Sequence, residues 1–552
     1  MPGRTVASLL VECLEAEGVD YVFGIPGEEN IHFVDALSSS SIRYILVRHE
    51  QGASFMADVY GRLAGRAGVC SATLGPGAIN LLLGTADAQT DSTPLVAISA
   101  TVGRERSYKE SHQALDLAAL FRPVTKRADV IPTPASLPEM VRRAFELAQT
   151  ERCGAVYLGL PEDIEAAVPS GTSTPLPRRR AARETPRDAE VEAAAAILTG
   201  AASPIVLAGG GVARAGARAC SALTRFAERH GITVATTFHG KGTIDDRHPN
   251  AVGPMGFMRH DYENFAFDEA DVIVAVGYEL QEFDPVRMNP DADKRIVHLH
   301  RFSPDTDAHY LPEVQVIGDI AETLEALTEL VPARRGLSRA DARIRELHRA
   351  ELDRGAGDHS FPLKPQRIVA DIRAAMDEDD VVLADTGAVK MWMARLYPTY
   401  RPNTCLISNA LSTMGFALPG AVGAKLARPS ARVLAVMGDG SFLMNSQELE
   451  TAVRENVPLV ALVWVDEAYG LIRWKMELEL GRSSHVGFSN PDLVAYARAF
   501  GARGYAVTAA GELLPTLRGA LADDAVSVIA CPVDYGENTK LTDALGALTV
   551  AL

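Results

Sequence analysis

Two aspartates, set one helix and one strand apart, constrain this chain more than any other feature. The stretch GDGSFLMNSQELETAVRENVPLVALVWVDEAYGL runs from Gly438 to Leu471 and puts Asp439 after one apolar run and Asp466 after another. Arg432 to Met437 (RVLAVM) is short, apolar and partly β-branched, so it reads as a buried strand that stops at Gly438-Asp439-Gly440. From Asn445 to Asn456, Leu449, Ala452 and Val453 recur at helical spacing, with Glu448, Glu450, Arg454 and Glu455 turned largely elsewhere. PLVALVWV then forms a second strand ending at Asp466. A right-handed crossover makes the two strands parallel, so both carboxylates emerge at one sheet edge and can converge on one hard cation. Magnesium takes few protein ligands and completes its shell with phosphate oxygens and water, and the amides around Gly440 and Ser441 suit those phosphates. The plainer alternative is that the aspartates only shape turns and cap helices.

A chain of 552 residues exceeds one ordinary core and points to about three domains. Its net charge of -17 argues against a polyanion-binding surface, so nucleic acid is not an expected partner. No long uninterrupted apolar run and no basic-then-apolar leader occur, so the reading is a cytoplasmic protein without a membrane span. Cys13, Cys70, Cys153, Cys220, Cys405 and Cys531 are far apart with no CxxC pair, and read as small buried side chains rather than zinc ligands.

Strand-like and helical runs alternate throughout, the punctuation of an α/β chain. The expected division is a first domain over 1–165, a Pro- and Arg-rich linker over 166–186, a second domain over 187–332, a connector over 333–362 and a third domain over 363–552. In the first, Gly24-Ile25-Pro26-Gly27 follows a strand, and Arg48-His49-Glu50 opens a helix in which Glu50 complements the dipole. Leu74 to Asn80 contains a second glycine turn, and His112-Gln113 lies in a polar loop whose side chains can donate hydrogen bonds to an oxyanion. In the second, Gly209-Gly210-Gly211 precedes a helix but lacks the full dinucleotide fingerprint. In the third, Asp385-Thr386-Gly387-Ala388 ends a strand on the same sheet edge as Asp439. Met414, on composition alone, is core packing.

Phe23 to Gly27, Arg48 to Ala53, Gly75-Pro76-Gly77, His112-Gln113, Pro123 to Lys126, Met414-Gly415, Gly438-Asp439-Gly440 and Glu448 to Ala452 together resemble the large subunits of acetolactate synthases, which are thiamin diphosphate (ThDP) enzymes. The resemblance covers nearly the whole chain. It implies three consecutive doubly wound parallel-sheet domains: pyrimidine-binding, central and diphosphate-binding. It makes Glu50 the partner of the aminopyrimidine N1', where proton sharing promotes the reactive ylid. Gln113, and secondarily His112, would face the substrate, and Met414 would wedge between the cofactor's rings. The ligands of Mg²⁺ would be Asp439, Asp466 and the main-chain carbonyl of Ala468. Pro26, Gly27, Gly75 and Asn80 would border the pyrimidine. Gly387, Ala388, Ser412, Gly440, Ser441, Tyr469, Gly470 and Leu471 would also be cofactor-binding. Ala388 and Val389 replace polar contacts of many relatives, leaving more of the holding to backbone amides.

Val463 to Asp466, Gly277-Tyr278 with Phe283-Asp284-Pro285, and Pro532 to Tyr535 are similar to the catabolic branch that lacks FAD. Gly277-Tyr278-Glu279 stands where biosynthetic relatives have an arginine for the second ketoacid. The resemblance therefore implies decarboxylation of pyruvate and ligation of its two-carbon remnant to a second 2-ketoacid, giving 2-acetolactate. It also implies a homodimer or dimer of dimers with sites shared between subunits, while leaving a regulatory subunit undetermined. Trp474 and Lys475 are either substrate-facing or surface. Alternatives are another donor or acceptor such as sulfoacetaldehyde, a 2-hydroxyacyl thioester or an aldehyde, a FAD-bearing biosynthetic subunit, or a non-catalytic ThDP-binding subunit.

Overall fold

The computed structural model describes residues 4–169, 173–178, 184–255, 264–333 and 339–538. Parts of the expected linker and connector, and the last fourteen residues of the expected third domain, lie outside the described residues. Three six-stranded, all-parallel sheets with flanking helices make up the fold. The first contains β1 (Tyr21–Gly24), β2 (Arg43–Leu46), β3 (Gly68–Ala72), β4 (Leu95–Thr101), β5 (Arg127–Val130) and β6 (Ala155–Pro161). The second contains β7 (Pro204–Ala208), β8 (Thr233–Thr236), β9 (Ala251–Pro254), β10 (Val272–Val276), β11 (Arg295–His300) and β12 (Val314–Ile317). The third contains β13 (Val381–Ala384), β14 (Cys405–Ile407), β15 (Val433–Gly438), β16 (Val460–Val465), β17 (Arg503–Ala506) and β18 (Ser527–Pro532).

The first and third sheets share one strand order, β2-β1-β3-β4-β6-β5 and β14-β13-β15-β16-β18-β17. The second runs β9-β8-β7-β10-β11-β12, the order of dinucleotide-binding sheets. Each order reverses between β1 and β3, β7 and β10, or β13 and β15, and the first and third turn back again at β6-β5 and β18-β17; the crevice beyond the strand ends at such a point is where ligands bind in open α/β sheets. Among the described residues no helix is long and apolar enough to cross a membrane.

The third sheet is the middle slab. Successive side chains of a strand point to opposite faces. On β15, Leu434 and Val436 enter a core shared with Leu207, Ile273 and Tyr278 of the second sheet's domain. Val433, Ala435 and Met437 enter a core shared with Phe55, Met56 and Val59 of the first. β16 alternates likewise, with Leu462 and Trp464 on one face and Ala461 and Val463 on the other. The helices Glu50–Ala64 and Ala417–Ala427 touch because Gly420 and Gly423 have no side chains. A Cβ at Gly423 would lie 2.3 Å from the Met56 carbonyl oxygen, and one at Gly420 2.9 Å from a Val59 methyl. Phe55 meets Phe416 edge-on at 5.8 Å, a contact worth ~0.5–1.5 kcal/mol beyond burial.

Two expectations change. The helix expected over 445–456 is two short ones, Asp439–Asn445 and Glu448–Arg454, and Asp439 starts the first instead of sitting in a free turn. Glu448 stands one turn before Ala452, on the face that enters the core, so it is fully buried rather than turned outward. Trp474, on the helix Gly470–Leu480, is buried and lines the cavity beside Asp466, which removes the surface alternative for it, whereas Lys475 is exposed.

Candidate active site

β15 and β16 pair in parallel with Gly438 opposite Trp464, so Asp439 and Asp466 leave adjacent strands at one edge. Asp439 is completely buried. Its Oδ1 accepts the Gly440 N–H at 2.9 Å, and its Oδ2 accepts the N–H groups of Asp466 (3.3 Å) and Glu467 (2.8 Å) and the Asn490 amide (2.7 Å). Asp466 Oδ2 is buried with no hydrogen-bond partner. Burial, then the neighbouring Asp439 carboxylate, push the Asp466 carboxyl up to about 7, with Arg473 pulling weakly the other way from 3.9 Å. Two packed carboxylates with an orphaned oxygen suit a divalent cation. Among the described residues no three His, Cys, Asp or Glu side chains form a metal cluster, so further ligands would come from main chain, phosphate or water. Ala468 lies on this rim; its carbonyl accepts the Gly470 N–H at 3.0 Å and keeps a second lone pair. A Cβ on Gly470 would stand 2.8 Å from Asp466 Oδ2, and one on Gly440 2.9 Å from the Tyr469 ring. Tyr469 packs edge-on against Phe488 at 5.2 Å, and Leu471 is half-buried beneath.

The β13 turn closes the other side of the reversal point. Asp385 is fully buried and accepts N–H groups of Thr386, Gly415 and Ala417 at 2.8, 2.9 and 2.8 Å. Burial raises it to about 6 against those donors. It thereby ties the turn to the Met414 loop. Gly387 caps the helix Ala388–Leu396 at a φ of 137°, and Ser441 Oγ donates to the Thr386 carbonyl at 3.1 Å. Ser412 adopts a φ of 58° and receives Lys390 Nζ at 2.8 Å. Asn445 donates to the Gly415 carbonyl at 2.8 Å, leaving Met414 half-buried at the loop's crest.

Glu50 is the first residue of its helix, with His49 as cap, and is 7% exposed. Asn80 donates to its Oε2 at 3.0 Å. Gly77 lies against its other oxygen, where a Cβ would approach to 3.1 Å. Gly75 adopts a φ of 58° and abuts Gln113, itself at 53°, so these turns interlock. Gln113 and His112 are exposed. Gly27 packs on Thr73, where any Cβ would overlap, and Pro26 is exposed beside it. The first sheet thus gathers one set of the expected residues and the third gathers the other. No hydrogen bond among the described residues joins Glu50 to the Met414 and Asp439 set.

Residues 4–120, 191–327 and 385–531 match the N-terminal TPP binding, central and C-terminal TPP binding domains of thiamine pyrophosphate enzymes. The chain is 37% identical over 544 residues to a catabolic acetolactate synthase of Raoultella terrigena, covering 98% of this chain and 97% of that protein. It is 36% identical to an acetolactate synthase of Bacillus subtilis strain 168 (97% and 94% covered) and 33% identical to the large subunit of acetolactate synthase isozyme 2 of Escherichia coli K12 (96% of each). The chain belongs to the acetolactate synthase family of thiamine pyrophosphate enzymes. Its two end domains are the ThDP-binding ones.

In this acetolactate synthase family member the central glycine turn is already filled. The Gly210 N–H, at the start of the helix Gly210–Ala215, donates to Glu282 Oε1 and Oε2 at 3.1 and 3.0 Å, and Thr237 donates to the same carboxylate. Glu279 pairs with Arg214 and with Arg152 at 2.8 Å, linking the central domain to the N-terminal one. A cavity of about 380 Å³ adjoins this turn. Its cations are paired inward: Arg62 and His239 with Asp91 at 3.2 Å each, and Arg301 with Asp319 at 3.5 Å. Sequence reasoning passed over Asn490, Thr386 and Glu448. Thr386 Oγ1 is buried without a partner at the turn after β13. Asn490 lies 51 residues beyond Asp439 in an irregular loop, where no periodicity marks it.

Proposed function

We propose that this acetolactate synthase joins two molecules of pyruvate into 2-acetolactate with release of CO₂, using ThDP and Mg²⁺ and no FAD. The observation that carries the metal-diphosphate reading is the orphaned Asp466 oxygen beside buried Asp439 at the reversal point of the third sheet. Asp439, Asp466 and the Ala468 carbonyl would hold Mg²⁺, with Thr386 Oγ1, Ser441 and the first amides of the helices at Ala388 and Asp439 around the diphosphate. When bound, ThDP supplies a nucleophilic carbon and the electron sink for the charge left by CO₂.

The chain's own residues do the rest. Glu50, steadied by Asn80, keeps one carboxylate oxygen beside Gly77 to hold or release a proton at the pyrimidine nitrogen. Gln113 and His112 donate to the oxygen that becomes negative at the reacting carbonyl. Met414, on the loop fixed by Asp385, would pack against the bound cofactor. Exposed apolar residues frame both halves: Ile79, Leu83, Leu115 and Leu120 on one, Leu411, Met444, Tyr469 and Ile472 on the other. A second copy of the chain would cover them and exclude water while the carbon–carbon bond forms, so the reading includes a homodimer with shared sites. Glu282 on the central turn supports the absence of FAD, because the amide a dinucleotide phosphate would use has an internal partner.

The test is incubation with ThDP, Mg²⁺ and pyruvate, following CO₂ together with acetolactate converted by acid to acetoin. Wild type should release both, and Glu50→Gln should slow both by ~10²-fold or more. CO₂ without acetolactate would move the acceptor elsewhere, and neither product would remove pyruvate as donor.

A further inference from the structure

Glu448 is a carboxylate with no place in the expected site, yet it is fully buried. No salt bridge reaches it among the described residues. Instead, Oε1 accepts the backbone N–H groups of His49 (3.0 Å) and Arg48 (3.2 Å), while Oε2 accepts Arg48 N–H (3.3 Å) and the Thr451 hydroxyl (2.6 Å). Arg48 and His49 are the two residues immediately before Glu50, four hundred residues away in sequence. Gly52, in the first turn of the helix that Glu50 opens, also abuts this carboxylate, where a Cβ would stand 2.7 Å from Glu448 Oε1. Burial, then hydrogen bonding, set its proton affinity, with the carboxyl raised to about 7. A buried carboxyl with no cation beside it is costly to keep. Its partners are the amides at the start of one helix, so its effect falls on where that helix begins.

We propose that Glu448 is a positioning residue for Glu50: the C-terminal domain clamps the two amides that precede Glu50 and so fixes the direction in which its carboxylate points. The inference rests on the reading of Glu50 as the proton partner of the pyrimidine. It also makes one chain's diphosphate and pyrimidine halves mechanically continuous, because the helix Glu448–Arg454 follows the helix that starts at Asp439 after a two-residue break. In a dimer with shared sites those halves serve two different cofactors, so loading one site bears on the aim of Glu50 in the other.

The experiment is hydrogen–deuterium exchange at C2 of bound ThDP, read by NMR after acid quench at saturating ThDP and Mg²⁺. Wild type, Glu448→Gln, Gly52→Ala and Glu50→Gln are compared, with ThDP affinity and thermal unfolding measured in parallel. Glu448→Gln keeps the shape but offers one acceptor oxygen to two amides. Gly52→Ala keeps the carboxylate, crowds it with a Cβ and favours the helix, so it decides the matter if the first variant does not fold. Both should slow exchange per bound ThDP by roughly ten- to a hundredfold, the cost of a small misplacement, with affinity and unfolding temperature little changed. Exchange at the wild-type rate in both, with Glu50→Gln slow, overturns the positioning role. Exchange that falls only in step with ThDP occupancy also overturns it, since that marks mere structural support. A Glu50→Gln enzyme exchanging at the wild-type rate would sink the reading of Glu50 itself.

Discussion

The turns at Gly438-Asp439-Gly440 and Gly209-Gly210-Gly211 begin alike. Each follows a buried strand at the point where its sheet reverses order, and each opens a short helix. Beyond the first stand an orphaned Asp466 oxygen and an orphaned Thr386 hydroxyl. Beyond the second stands Glu282, which takes the Gly210 amide for itself. Glycine lets a partner approach the backbone, but a distant side chain decides whether that partner is external or internal. The first turn has groups waiting for a ligand. The second has an acidic side chain in the position of one.

Removing the acid of the open turn breaks the comparison most severely. Asp439→Ala deletes the proposed metal ligand and the acceptor of three donors to Oδ2, so Mg²⁺-dependent ThDP affinity, measured by calorimetry, should fall by on the order of 10²-fold. Unchanged affinity would mean that the diphosphate is held elsewhere. A smaller effect comes from Asn490→Ala, which removes only one of those donors while leaving both backbone amides. The Mg²⁺ concentration for half-saturation with ThDP should rise about tenfold, as outer-shell losses do. No change in that titration would reduce Asn490 to loop packing.

The open turn was legible in the sequence because its chemistry is local. Strand, acid, helix, strand and second acid follow one another directly, with the two acids 27 residues apart, and the parallel crossover forces both acids to one edge. The same holds for the three α/β layers, whose apolar runs need no partner to be read. Glu448 reads as outward because its charge suggests solvent, although it stands one turn before the core residue Ala452, and because its partners lie in another domain. Glu282 escaped for a related reason: it sits after β10, on the far side of the reversal point from the turn it fills. Trp474 reads as roof or surface from a helix with little apolar contrast, and only the packing of the third domain buries it. Local pattern carries elements and edges; it does not carry which carboxylate crosses to which amide.

The filled turn can be sharpened by separating shape from charge at Glu282. Alanine there would leave the Gly210 amide and the Thr237 hydroxyl without an acceptor, an unsatisfied burial costing about 1–3 kcal/mol. Glutamine keeps one acceptor oxygen for Gly210, and the Thr237 hydroxyl can turn to receive its amide, so the stability change should stay within ~1 kcal/mol. Charge then shows itself through pH. Burial, opposed chiefly by His239, raises the Glu282 carboxyl above its ordinary value. The folded protein therefore holds that proton more tightly than the unfolded chain, whose glutamates titrate near about 4.3. The resulting stabilisation is complete below that value and is lost as pH rises through the raised folded-state pKa. Glutamine has no such dependence. The unfolding temperature of wild type relative to Glu282→Gln should accordingly decline as pH climbs from the ordinary carboxylate range toward neutrality, read by thermal melts of both proteins across a pH series. A gap that stayed constant would mean that Glu282 enters the fold already ionised at no cost, and that the turn is sealed by His239 and Arg214 as much as by the carboxylate itself.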